Sequence, residues 1–137
     1  MIFHKKLLRW FLDHRRPFPW RENNNPYNVW LSEIILQQTR ATQGLPYYQK
    51  FVNTYPKIDY LAKAEQEDIL KLWEGLGYYS RARNLKKSAK LIINEFNGQL
   101  PNNEEDLKSL PGIGDYTSKA IMAIAFNKKI IPLDGNV

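Results

Sequence analysis

The stretch Leu110-Pro111-Gly112-Ile113-Gly114-Asp115-Tyr116-Thr117 leads, by way of Ser118 and Lys119, into the apolar Ala120-Ile121-Met122-Ala123-Ile124-Ala125. Two glycines two positions apart, after a proline and before a helical pattern, make a tight turn that feeds a helix N-terminus. Glycine has no Cβ, so such a turn exposes successive backbone N–H groups with no side chain in the way. Those amides and the positive end of the following helix suit a phosphate. The segment reads as a helix-hairpin-helix, with one helix over 104–110 and the next over 116–127. A helix–turn–helix corner without any ligand uses the same residue types, so the pattern decides the fold more firmly than the function.

Working outward from the hairpin, the pattern is helical almost throughout. Residues 3–13 form an amphipathic helix that Pro17-Phe18-Pro19-Trp20 stops, and Asn23-Asn24-Asn25-Pro26 is a loop. Residues 29–39 carry Val29, Trp30, Leu31, Ile34, Ile35 and Leu36 on a broad buried face. A short helix over 46–53 ends before Pro56. Residues 64–73 open with acidic residues, as a helix N-terminus should, and Gly75-Leu76-Gly77 closes them. Residues 80–96 form a long helix with Ala82, Leu85, Ala89, Ile92, Ile93 and Phe96 inside. No run alternates as a strand does, and Pro132 argues against one over 130–133. The expected fold is all-α, an orthogonal arrangement of about six or seven helices.

The chain has 137 residues, 43% of them hydrophobic and 25% charged, ordinary values for a globular domain with a real core. Its net charge of +6 favours a polyanionic partner, because Lys and Arg displace counterions from phosphates. With no cysteine, the residues present hold no disulfide, zinc–thiolate site or iron–sulfur cluster. His4 and His14, the only histidines, lie in a basic segment and read as surface residues rather than metal ligands. There is no membrane-span pattern and no signal-peptide pattern, so no membrane partner is expected and a cytoplasmic location is the default.

Several residues carry possible chemistry. Glu33 sits in Trp30-Leu31-Ser32-Glu33-Ile34-Ile35-Leu36, and desolvation favours the protonated carboxyl that a general acid needs. The solvent face of a helix is the equal alternative. Asp134 lies in a turn, where capping explains it; it is also a second carboxylate, and glycosidic cleavage commonly uses two. Gln37-Gln38-Thr39 offers amides for base edges or a base stack. Gly75-Leu76-Gly77-Tyr78-Tyr79 puts Leu76 and two tyrosines on a glycine-flanked loop whose exposed tip would suit a wedge between bases. Folding of one tyrosine back into the core is the alternative. Arg81, Arg83, Lys86, Lys87 and Lys90 form a basic stretch, with 83, 86, 87 and 90 on one helical face, either phosphate-facing or merely solvated.

Together, Pro19-Trp20-Arg21, residues 26–33, Leu36-Gln37-Gln38-Thr39, residues 72–85, Leu110-Pro111-Gly112-Ile113-Gly114 and Leu133-Asp134-Gly135-Asn136-Val137 make the chain resemble the MutY-type adenine DNA glycosylases, of the helix-hairpin-helix glycosylase superfamily. The resemblance implies a six-helix barrel domain over 26–137, with the hairpin near 104–127. Residues 1–25 would then be the N-terminal helix and loop of an iron–sulfur-side subdomain incomplete in this sequence. It implies that Glu33 protonates adenine at N7 and that Asp134 stabilises the sugar cation, with Tyr116 close to that aspartate. Trp20, Arg21 and Leu36 would line the adenine pocket. Gln38 and Tyr78 would enter the base stack, and Thr39 and Leu76 would lie near the opposing oxidised guanine. Gly112, Ile113 and Gly114 would hold the DNA backbone beside a flipped nucleotide.

The bifunctional, endonuclease III-like relatives carry a Schiff-base lysine just after the hairpin glycines. Tyr116 stands there instead, and Lys119 is a helical turn further on, so the implied enzyme is monofunctional. Asp115 departs from expectation as an anion near the phosphate site. The implied activity is removal of adenine mispaired with 8-oxoguanine or guanine in duplex DNA, by a monomer at the bacterial nucleoid. Family members continue past the Asp-Gly-Asn-Val motif, with a cysteine-ligated 4Fe-4S cluster and an 8-oxoguanine-reading domain. The chain is therefore expected to be an N-terminal piece with impaired turnover and no cofactor of its own. A non-catalytic DNA-binding module and an endonuclease III-like lyase are the alternatives.

Overall fold

The computed structural model describes residues 25–37 and 39–126, which form seven helices and no strand. The helix expected over 3–13 lies outside the described residues. The first described helix, α1 (Pro26–Leu36), starts three residues before the apolar run that marks it in the sequence. Asn25 sets that start: its Oδ1 accepts from the amides of Tyr27 at 2.9 Å and Asn28 at 3.4 Å, and Pro26 occupies the first turn, where a missing N–H costs nothing. Eight of the eleven residues of α1 are buried. A helix buried on nearly every side is central, and α1 packs against three others.

Those neighbours are α2 (Ala41–Thr54), α5 (Ser80–Glu95) and α7 (Asp115–Ala125). Helix α2 begins five residues before the expected start at Pro46, which lies inside it. Proline cannot donate to the preceding turn, but Arg40 O accepts from the amides of Gln43 and Gly44 and starts the helix earlier. Gly44, Tyr48 and Phe51 make its buried stripe. At Gly44 a Cβ would stand 3.1 Å from Ile35 Cγ2 and 3.2 Å from Leu36 Cδ2, so the glycine lets α2 lie directly on the end of α1.

Between α2 and α5 run α3 (Ile58–Lys63), a six-residue helix that has no counterpart in the sequence reading, and α4 (Gln66–Trp73). Both pack on α5. Phe51 of α2 meets Trp73 of α4 edge-on, with centroids 5.8 Å apart, and both rings are fully buried. The long helix α5 matches the expected span to within a residue. Asn97 and Gly98, both at positive φ, end it, and the Gly98 amide returns to Ile92 O at 2.9 Å. Helix α6 (Glu104–Lys108) opens on Asn103, whose Oδ1 accepts from Asp106 N at 2.8 Å, and it packs against α7.

Gly44→Val should lower the unfolding free energy by about 1–3 kcal/mol, because the added methyls overpack the α1–α2 contact. Urea denaturation measures this, and a wild-type midpoint would contradict so close an approach of the two helices.

Candidate active site

Glu33 lies in the C-terminal half of α1 with only 3% of its surface exposed, which decides between the two readings of its position. Helix α7 packs across α1 and brings Tyr116 towards it. The Tyr116 phenol is pushed above its ordinary range first by burial and then by the charge of Glu33, so the two groups sense each other across the α1–α7 contact. Leu36 is half-buried at the end of the same helix.

The hairpin between α6 and α7 is held from behind. Gly112 has φ +87°, the left-handed region, and the amide of Ile113 closes the turn onto Leu110 O at 3.2 Å. Ile113 is buried and anchors the turn in the core. Ser88 of α5 donates to Pro111 O at 3.0 Å, and Asn84 backs Gly112. Gln37 donates through Nε2 to Gly112 O and to Thr117 Oγ1, both at 3.1 Å. Gln37 therefore ties the hairpin and the first turn of α7 to the end of the Glu33 helix, a tether that its neighbours in sequence do not reveal. Gly114 differs from Gly112: its φ is negative, it is exposed, and a Cβ there would meet nothing within 4 Å. Nothing inside the fold demands a glycine at 114.

The loop after α4 does not behave as its sequence suggests. Gly75 and Gly77 have φ of +97° and +78° and reverse the chain twice, so Leu76 turns into the core with 7% exposed. The expectation of an exposed Leu76 tip is corrected. The tip is Tyr78, 62% exposed and itself at φ +48°, with Tyr79 exposed beside it. Neither tyrosine folds into the core. A tyrosine at positive φ is strained and needs support.

That support is Arg81, the first residue of the basic stretch and outside the face that 83, 86, 87 and 90 share. It is 7% exposed. Its Nη1 donates to the carbonyls of Ile34 at 3.1 Å, Ile35 at 3.0 Å and Gln37. Its Nη2 donates to Thr39 Oγ1 at 3.2 Å and Gly77 O at 3.4 Å. The guanidinium also lies over Trp73 at 4.9 Å and Tyr78 at 5.6 Å. Lys86 leaves the expected stripe, since it is half-buried and donates to Ala64 O at 2.5 Å, at the end of α3. Both placements have one cause: a helix end nearby in space presents bare carbonyls that attract a cation. Arg83, Lys87 and Lys90 remain exposed on one face.

Asp115 is the first residue of α7 and is engaged by two lysines. Lys119 Nζ stands 2.9 Å away and Lys108 Nζ 3.5 Å away, and Lys119 also bridges to Glu104 at 3.0 Å. The hydrogen bond from Lys119 holds the Asp115 carboxyl below its ordinary range. Lys119 is thus committed to ion pairs. Trp20, Arg21, Gln38 and Asp134 lie outside the described residues. Among the described residues no group of His, Cys, Asp and Glu could hold a metal ion.

Residues 31–137 match the model of the HhH-GPD superfamily base excision DNA repair proteins, and the chain belongs to that superfamily. Among relatives, it is 44% identical over 138 residues to the adenine DNA glycosylase of Buchnera aphidicola subsp. Baizongia pistaciae, covering 100% of this chain and 39% of the relative. It is 40% identical over 144 residues to the adenine DNA glycosylase of Mus musculus, covering 98% and 28%. The chain thus spans well under half the length of either. A thermostable thymine-DNA glycosylase superposes with a TM-score of 0.78 at 35% identity, over 93% of this chain and 59% of that one. An endonuclease III–DNA complex superposes at 0.73 and 22% identity, over 90% and 60%, a likeness of fold. The all-α helix-hairpin-helix glycosylase fold expected from the sequence agrees with these.

A carboxyl whose folded-state pKa is depressed stabilises the protein above its unfolded pKa, and that contribution disappears as pH falls through the folded value. The melting-temperature gap between wild type and Asp115→Asn should therefore be small and positive at neutral pH and close between about pH 5 and 2. A gap constant across that range would contradict the pairing.

Proposed function

We propose that the chain is the catalytic part of a monofunctional adenine DNA glycosylase that removes adenine mispaired with 8-oxoguanine or guanine in duplex DNA. The observation that carries this reading is Glu33, a carboxyl buried in the central helix, packed towards α7 and tethered through Gln37 to a hairpin with two exposed glycines. Base excision needs an acid shielded from water, a grip on the backbone and a wedge that replaces the extruded base. Glu33, the hairpin and Tyr78 answer these needs in turn.

In the mechanism, the hairpin backbone at Gly112 and Gly114, with the N-terminus of α7, receives a phosphate beside the flipped nucleotide, while Ile113 anchors the turn in the core. Tyr78 and Gln38 enter the stack the nucleotide leaves, with Thr39 towards the opposing base, while Leu76 anchors the Tyr78 loop in the core. Trp20, Arg21 and Leu36 enclose the adenine. Glu33 delivers a proton to N7, so adenine departs neutral. The electron pair of the N-glycosidic bond leaves with the base, and Asp134 faces the resulting oxocarbenium ion until water adds at C1′. Tyr116, with its phenol held protonated, borders the acid and supplies no amine for a Schiff base.

The partner is duplex DNA, bound by a monomer of net charge +6 in the cytoplasm at the nucleoid. No helix among the described residues is long and apolar enough to cross a membrane. A 4Fe-4S cluster held by cysteines does not fit this chain, which has none, and no step of the mechanism passes through one.

Glu33→Gln in the complete protein should cut single-turnover adenine release from an 8-oxoguanine:adenine duplex by about 10²–10⁴-fold while duplex binding persists. Unchanged release would remove Glu33 from the role of acid. Gly114→Ala should change stability by less than about 1 kcal/mol yet weaken duplex binding, because the new Cβ points into the space the phosphate needs. Equal affinity for wild type and variant would place the backbone grip elsewhere.

A further inference from the structure

The glycosylase reading gives Arg81 no task, yet this buried cation touches more separate elements than chain geometry requires. Nη1 serves the end of the Glu33 helix and the Gln37 carbonyl. Nη2 serves Thr39 on one side and Gly77 on the other. Thr39 Oγ1 itself donates to Gln37 O at 3.3 Å, which closes the turn on the same cation. Tyr78, held at positive φ, lies under the guanidinium plane. The turn flanked by Gln37 and Thr39 and the loop bearing Tyr78 thus share one rigid, planar donor.

We propose that Arg81 is a positioning residue that fixes the spacing between the Gln37–Thr39 turn and the Tyr78 loop and ties both to the Glu33 helix, so that the two segments enter the base stack together. This rests on the glycosylase reading. The planar guanidinium spans two acceptor sets at a fixed separation and stacks on a ring; an ammonium is a single point that satisfies one set and leaves the other. A residue that only capped α1 would need Nη1 alone. The contacts of Nη2 and the stacking on Tyr78 are what a cap does not explain.

The test uses the complete protein and a duplex carrying 2-aminopurine in place of the target adenine, opposite 8-oxoguanine. Fluorescence at saturating protein reports unstacking of that base, and anisotropy reports binding separately, so no excision is needed. Arg81→Lys, which keeps a long amine donor but not the planar fork, should still bind but lower the unstacking signal at saturation by at least about fivefold, as loss of coupling between two segments predicts. Ile92→Val, a core variant remote from the loop, should keep the wild-type signal. Full unstacking by Arg81→Lys, or an equal loss in Ile92→Val, would overturn the proposal. If Arg81→Lys does not fold, Arg81→Gln takes its place, and failure of both to fold would overturn it too, leaving Arg81 as a part of the fold alone. A wild-type protein that binds without unstacking the base would instead overturn the glycosylase reading, a result separable from any effect of Arg81.

Discussion

Everything in the site depends on a cation buried at the end of the central helix. The last turn of any helix leaves carbonyls short of partners, and in α1 those of Ile34 and Ile35 belong to buried residues. Arg81 resolves this by placing a guanidinium against Ile34, Ile35 and Gln37. Burial pulls its pKa down, and Tyr78 opposes that to a smaller degree. An arginine remains charged under such conditions, where a lysine readily loses its proton. The charge also lies at the negative end of the α1 dipole. The same group reaches the Tyr78 loop, so the end of the helix that carries Glu33 and the exposed Tyr78 tip are not independent.

A second constraint joins the hairpin to this unit. Gln37 is the residue at which both meet: its carbonyl accepts from Arg81, and its side-chain amide donates to Gly112 and Thr117. The Glu33 helix, the hairpin and, through Arg81, the Tyr78 loop are therefore connected at one residue at the end of α1. Such connection limits relative motion of groups that must act on one nucleotide, and small displacements of reacting groups are costly in rate. Asp115 has a local part in the arrangement. It pairs with Lys119 within α7 and with Lys108 of α6, while Lys119 reaches Glu104 of α6, so these ion pairs link the two helices on either side of the hairpin.

The hairpin and the long helix after Tyr79 were legible because each has local cause: glycines at fixed spacing, and an apolar period sixteen residues long. The burial of Glu33 was only half legible. Its apolar neighbours raise the odds, but α1 is buried on nearly all sides, and a helix of that kind has no polar face to exclude a carboxylate from. The burial of Arg81 was not legible, for a physical reason. Apart from Gly77, its acceptors lie 42 to 47 positions earlier in the chain, and no property of the basic stretch distinguishes a buried arginine from its exposed neighbours. Leu76 failed similarly, since two glycines permit either direction and only packing selects inward. Helix α3 was missed because six residues after a proline carry too few turns to show a period, and the start of α2 was hidden by Pro46, which reads as a first-turn residue.

The most direct measurement is native-state amide hydrogen exchange on the free protein. The amide of Thr39 donates to Leu36 O at 3.2 Å, and that of Leu76 to Trp73 O at 3.0 Å; one belongs to the turn and the other to the loop. If a single guanidinium holds both segments, the two amides open with the same free energy and respond equally to denaturant, as members of one cooperative unit do. Independent opening, with Leu76 exchanging far faster than Thr39 and with a different denaturant dependence, would contradict a shared hold by Arg81.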